Sequence, residues 1–361
     1  MGLTDRLARS ASGRVSVLIV EVPGWGRARC AVQAELRRRG WRPAGSPADA
    51  DALLVCGAPG ERLQAAVDLV WGQLPGPRAR AAVLATPDVG TALDRLRAEL
   101  ADDALQRRDA AARSPEPPSG PPAHGSDDDP DDDVDMNDGA GDMDMDMDMP
   151  AGIPLAGGDD DRDGLEMDVL HVPLGPVLPA WPPGLLLRCT LSGDVVTEAA
   201  AEVLGPAGEP AGDDAGVGEG LVHGSPADRL DRAARLLELA GWGTTAGAAA
   251  RLREELLVAD DPAQLLPAVD RLARKVARSR LLRWSLSDRG HRGGLDPADR
   301  LRALFDDARA ALAGTPAPLA PTSLEELPDL VVGRQLPAVR LLLAAAELDT
   351  ATLVRAGVVR S

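Results

Sequence analysis

Residues 15–21 read VSVLIVE and break at once into Pro23-Gly24-Trp25-Gly26. An apolar run of this kind fits a strand buried on both faces, the habit of parallel sheets. The helical pattern that follows turns Cys30, Ala31, Ala34 and Leu36 inward and stops at Gly40, a residue suited to a helix C-terminus. Trp41–Ala44 predicts a short strand and Ala52–Cys56 another. Pro59 is placed to open a helix bearing Leu63, Val67, Val70 and Leu74. Ala81–Ala85 predicts a further strand, and Thr91 caps a helix carrying Leu93, Leu96 and Leu100. Strands alternating with helices over about 100 residues predict a doubly wound parallel sheet, assigned to residues 1–107.

The composition changes after that lobe. Over residues 108–165 Ser, Pro, Gly, Asp and Met dominate and branched aliphatics nearly vanish. Such a stretch buries too little surface to offset its ordering entropy, so a disordered acidic linker is expected, spanning on the order of 40 Å. A second lobe is expected over 166–361. Its apolar, Pro-rich start leads into two strands, Leu185–Leu191 and Val195–Thr197, turning at Ser192-Gly193-Asp194. A Gly/Pro-rich loop runs to about Gly224, and helices follow. Ser225-Pro226, Thr244 or Thr245, Asp261-Pro262 and Asp296-Pro297 are their expected starts. This lobe is an α+β domain, a β-hairpin plus mainly helices.

The chain of 361 residues carries a net charge of −18, which argues against nucleic acid or an anionic membrane surface as a partner. The twelve Asp between Asp127 and Asp148 supply −12 of it, so the lobes are only mildly acidic. Cys30, Cys56 and Cys189 are an odd, scattered trio, and a reducing cytoplasm is the default reading. No apolar run suffices for direct membrane insertion, and the start of the chain does not read as a secretory signal.

Ser46–Asp88 carries a resemblance. Its Ser46–Gly57 segment (SPADADALLVCG) and its Gln73-Leu74-Pro75-Gly76-Pro77 turn resemble the cluster-bearing small subunit of respiratory complex I and NiFe hydrogenases. From Gly175, GPVLPAWPPGLLLRCTLSGDVV is similar to the opening of complex I's large quinone-site subunit. The two subunits are neighbours in the parent complexes. The resemblance implies a flavodoxin-like first lobe and a second lobe derived from the quinone-site subunit. It also implies that the turn bearing Gly24, Trp25, Gly26 and Cys30, with Asp88, marks the former cluster region. His171, Gly175, Pro176, Leu178, Pro182 and Gly184 mark the former quinone loop.

Departures from the family decide what carries over. The downstream cluster-ligand position reads Ala85-Thr86-Pro87-Asp88, without a thiol, and the quinone-site His positions fall at Leu178 and near Pro182. A 4Fe-4S cluster takes four thiolates, so none is expected. Gly24-Trp25-Gly26 sits where doubly wound sheets bind ligands, but it lacks the rest of a dinucleotide fingerprint and reads first as a structural turn. Trp25 could instead meet a partner subunit.

Two further motifs carry metal chemistry. Met143, Met145, Met147 and Met149 alternate with Asp and would project soft thioethers on one side, a copper-binding pattern. The plainer reading, favoured by composition, is a solvated low-complexity tract. Asp159, Asp161 and Asp163 match positions 1, 3 and 5 of a calcium loop, whose position 12 is here Leu170. His171, His223 and His291 show no zinc spacing or nucleophile partner.

The resulting expectation is an accessory subunit, without catalysis of its own, in a complex I-like (NADH-quinone oxidoreductase) or hydrogenase-like assembly. Its partners would be protein subunits of that assembly, and its place the cytoplasm, peripheral on the cytoplasmic face of the cell membrane. The alternatives are a soluble copper-binding protein using the Asp/Met tract, or an oxidoreductase subunit that still handles a quinone.

Overall fold

The computed structural model describes residues 14–113, 155–160, 166–207, 219–287, 296–315 and 321–357. Four strands, β1 (Ser16–Glu21), β2 (Arg42–Pro43), β3 (Ala52–Cys56) and β4 (Ala79–Val83), form a parallel sheet in the order β2-β1-β3-β4. Helix α1 (Gly26–Arg39) follows β1, α2 (Glu61–Gln73) joins β3 to β4, and α3 (Val89–Ala101) and α4 (Asp103–Arg113) follow β4. Successive strand residues face opposite sides. Val17 and Leu54 therefore pack with Leu36 of α1 and Leu93 of α3, whereas Leu18 and Leu53 pack with Leu63 and Val67 of α2. Gly40 ends α1 in the left-handed region, at φ 73°, as a residue without Cβ does most readily.

The stretch 108–165 is not unstructured at its ends. Helix α4 continues to Arg113 although it buries no side chain. It forms because Asp102 accepts hydrogen bonds from the Ala104 and Leu105 amides, both at 3.0 Å, and because Arg78 ion-pairs with Asp109 at 3.0 Å. Gln106 adds bonds to both the amide and the carbonyl of Arg78. At the other end, β5 (Leu155–Asp160) pairs with β6 (Glu166–Leu174). Backbone pairing supplies order there that composition does not show. The rest of the expected linker lies outside the described residues.

The second lobe holds an antiparallel sheet, β5-β6-β7-β8, with β7 (Leu185–Ser192) and β8 (Val195–Val203) turning at Gly193. Helices α5 (Pro226–Leu239), α6 (Gly243–Val258), α7 (Leu266–Arg278), α8 (Arg280–Leu286) and α9 (Pro297–Leu312) build a bundle around Leu230, Leu237, Leu304 and Phe305. Their starts are written locally. The Ser225 hydroxyl accepts from the Asp228 amide at 3.2 Å, and Asp296 accepts from the Ala298 amide at 2.7 Å. Helices α10 (Leu327–Val331), α11 (Leu336–Ala345) and α12 (Thr350–Arg355) cover one face of the antiparallel sheet through Leu327, Val339 and Leu343.

The lobes are not separate cores. Val177, Leu186 and Leu204 of the second lobe complete the apolar cluster formed by Leu18, Val20, Leu53 and α2. Beyond β8 the chain crosses onto the first lobe, where the Gly60 amide donates to the Gly205 carbonyl and the Ala207 amide to the Ala58 carbonyl. Arg62 grips Glu202 through two hydrogen bonds of 2.8 Å each. No described helix is long and apolar enough to cross a membrane.

Candidate functional site: a filled crevice and the cleft between the lobes

Open parallel sheets offer a ligand crevice beyond the carboxyl ends of their strands. Here that crevice is filled by the chain itself. After β1 the backbone turns at Gly24, φ 97°, and Trp25 folds back so that its indole nitrogen donates to the Leu84 carbonyl at 3.3 Å. The ring lies so close to Gly57 that a Cβ there would stand 2.6 Å from it. Trp25 is thus a half-buried wedge, spent inside the fold. The segment Glu219–Leu221 closes the remaining space. The Glu219 carboxylate accepts from the Thr86 amide at 3.0 Å and its hydroxyl at 2.5 Å, and the Glu219 carbonyl accepts from the Arg27 amide at 2.6 Å. Leu221 covers Gly26, where an added Cβ would meet it at 3.1 Å.

Below this plug lies a cleft of about 390 Å³ between the Gly24–Gly26 turn, the Ala180–Pro183 loop, α5 and the C-terminal residues from Leu343 to Arg355. Gly184, at φ 70°, leaves the space that Pro23 uses, with only 2.7 Å from its would-be Cβ to the proline ring. Ala180 holds φ 57°, an uncommon conformation for a residue with a Cβ. The Gly24–Gly26 turn and the Ala180–Pro183 loop therefore stand face to face, with Gly24, Gly26 and Pro182 lining one cleft.

The cleft's polar floor is an ion-pair lattice that joins the lobes. Asp231 of α5 meets Arg29 of α1 at 2.7 Å, Arg235 at 3.1 Å and Arg253 of α6 at 2.5 Å. Glu21 at the end of β1 takes Arg29 at 2.6 Å and Arg235 at 2.9 Å. Burial acts to raise the Asp231 carboxyl, but the three guanidiniums outweigh it and hold the group well below the usual carboxylate range. Arg235 also donates to the Trp181 carbonyl. These arginines are committed to the fold and leave little for a ligand.

A second cluster brings ligand atoms of His223, Asp228 and Glu347 within 4.8 Å of one another, a donor set that suits a divalent metal. The surroundings do not fit one. Arg229, Arg232 and Arg300 all ion-pair with Glu347, and Arg232 also holds Asp228 at 3.1 Å. Burial, with Arg229 and Arg232 adjacent, lowers the Arg300 pKa to about 10. Burial and the Arg232 charge likewise lower that of His223, whose Nδ1 lies 3.2 Å from an Arg232 nitrogen. An added cation would face three guanidiniums.

The thiols fit a cluster no better. The chain has three cysteines, each free and buried, in α1, β3 and β7. Burial raises all three pKa values, Cys189 to about 11, whereas a four-iron cluster takes four thiolates. Asp88 is exposed at the start of α3 and His171 is exposed on β6, 3.2 Å from the Thr190 hydroxyl. Neither lines the cleft. Leu178 packs beside the antiparallel sheet core, and Pro176 is buried after β6. Asp159 pairs with Met167 in β5, where a calcium loop needs a turn. Met143, Met145, Met147, Met149, Asp161 and Asp163 lie outside the described residues.

Asp231, Glu219 and Glu347 escape a sequence reading because their partners are distant in the chain. The local trace is the pair of i, i+4 couples Asp228/Arg232 and Asp231/Arg235 on a helix whose other face is Leu and Ala. No protein-family model, no curated protein and no solved structure matches the chain.

Proposed function

We propose that the chain is an accessory subunit, without catalysis of its own, of a membrane-associated assembly of the complex I or hydrogenase kind. In this reading the small- and large-subunit frameworks are kept as one packed body and the electron path is given up. The observation that carries it is the filled crevice. Trp25 and Glu219–Leu221 occupy the space in which the resemblance would put a cluster. The strand order β2-β1-β3-β4 is compatible with a flavodoxin-like sheet and supports the same reading. So does the cleft in which the turn at Gly24 faces the loop at Pro182.

Crosslinking in native membranes, followed by mass spectrometry, tests the proposal. Crosslinks to the subunits of one membrane oxidoreductase assembly are expected. Recovery of unrelated soluble proteins alone would overturn it. So would about four iron and four acid-labile sulfide per purified chain, the content of a tetranuclear cluster.

A further inference from the structure

One face of the helical bundle has a chemistry opposite to that of the whole chain. From Arg271 to Leu286 there are six cations and no acid, in a protein of net charge −18. Arg271, Arg274, Lys275 and Arg278 recur at i, i+3, i+4 and i+7, so α7 presents them as a single stripe, and all four are exposed. The next helix, α8, adds Arg280 and Arg283, which are exposed too. None of the six enters an ion pair among the described residues, although most other arginines of the chain do. Leu281 and Trp284, three residues apart on α8, are 66% and 59% exposed. Beside them a groove of about 270 Å³ runs between α7, α8 and α9. Its floor is Val276, Leu282, Leu286 and Phe305, and its charged lining is Arg274, Arg283, Arg302 and Arg309 with Asp270 and Asp306.

A single exposed Leu or Trp needs no explanation. Two on one helical face, framed by exposed cations and adjoining an apolar groove, have the chemistry of an interfacial membrane contact. Trp suits the headgroup level, and arginine stems lie along apolar surface while their heads meet phosphate. We propose that this α7–α8 face docks on an anionic lipid bilayer, with Trp284 and Leu281 entering the headgroup boundary and the six cations meeting lipid phosphates. The apolar pair favours a bilayer over a nucleic acid, because phosphate contacts alone would leave it in water. The net charge does not forbid the contact. The two acids beside the groove, Asp270 and Asp306, are each held by Arg309. Screening over about 8 Å at physiological ionic strength lets the local stripe act apart from the more distant ones. The inference stands on this face and not on the reading of the cleft.

The test uses the full chain and sedimentation with vesicles of pure phosphatidylcholine or of phosphatidylcholine with a third phosphatidylglycerol. Binding at least tenfold tighter to the anionic vesicles is expected, weakening as salt rises. Leu281→Ser with Trp284→Ser, and separately Arg274→Gln with Arg278→Gln and Arg283→Gln, should each lower it tenfold or more. Melting temperatures measured on the same variants separate loss of binding from loss of folding, and a variant that binds poorly while melting within a few degrees of the parent supports the contact. Brominated lipid should quench tryptophan emission in the parent protein, and Trp284→Phe should retain binding while removing that quench. Equal binding to both vesicle types, or unchanged binding in the variants, would overturn the proposal. So would tighter binding to a single-stranded oligonucleotide. Vesicle binding seen only after residues 127–149 are deleted would make the chain's own acidic tract the occupant and defeat it as well.

Discussion

Asp231 is a buried carboxylate whose charge is kept by three arginines rather than lost to protonation. Its folded pKa lies below its unfolded value of about 3.9, so the stability it contributes is present above about pH 4 and is lost as the pH falls. Removing one member of a buried pair leaves uncompensated charge behind, at a cost of about 3–5 kcal/mol. Urea unfolding at pH 7 should show that loss in Asp231→Asn. A loss below about 1 kcal/mol would mean that Arg29, Arg235 and Arg253 repack without it. The thiols behave with the opposite sign. Burial raises Cys30, Cys56 and Cys189, so their contribution is complete below the ordinary thiol pKa of about 8.5 and declines as the pH climbs beyond it. A thiol reagent at pH 8 should leave all three untouched in the native protein and modify all three in urea. Rapid labelling of Cys30 in the native state would contradict its burial.

At the scale of elements, the sequence discloses what is held locally. Ser225 and Asp296 cap α5 and α9 through their own neighbours, and the alternation of β1, β3 and β4 with helices is written in apolar runs. What it hides depends on distant partners. Strand β6 carries Pro173, which cannot donate to a ladder, so EMDVLHVPL does not read as a central strand. Helix α11 is apolar nearly all round and short, which blurs its period. The candidate site is hidden more deeply, since Arg29 and Asp231 stand 202 residues apart. Helix α4 depends on such a distant partner. It buries nothing and is held by Arg78 through Asp109 and Gln106. In Asp109→Ala with Gln106→Ala, amide exchange should quicken at least tenfold within α4 and stay unchanged in β4. Unchanged exchange in α4 would show that its own i, i+4 pairs suffice.

For the molecule as a whole, Val177, Leu186 and Leu204 belong to the same apolar cluster as Leu18, Leu53 and Leu63. The lobes should therefore unfold together. Residues 1–113 and 155–361, expressed as separate chains in one cell, should copurify as a one-to-one complex with a single melting transition. Two independently soluble fragments, each with its own transition, would refute a shared core.

That shared core has a consequence for synthesis on the ribosome. The first lobe leaves the tunnel before the residues that finish its covering exist, for Leu204 is translated 91 positions after Arg113. At 5–20 residues per second the delay is about 5–20 s. During it the part of the sheet face that α2 leaves open is apolar and uncovered. The nascent chain is accordingly a client for ribosome-bound chaperones over that interval, and faster elongation through residues 114–204 would shorten its exposure.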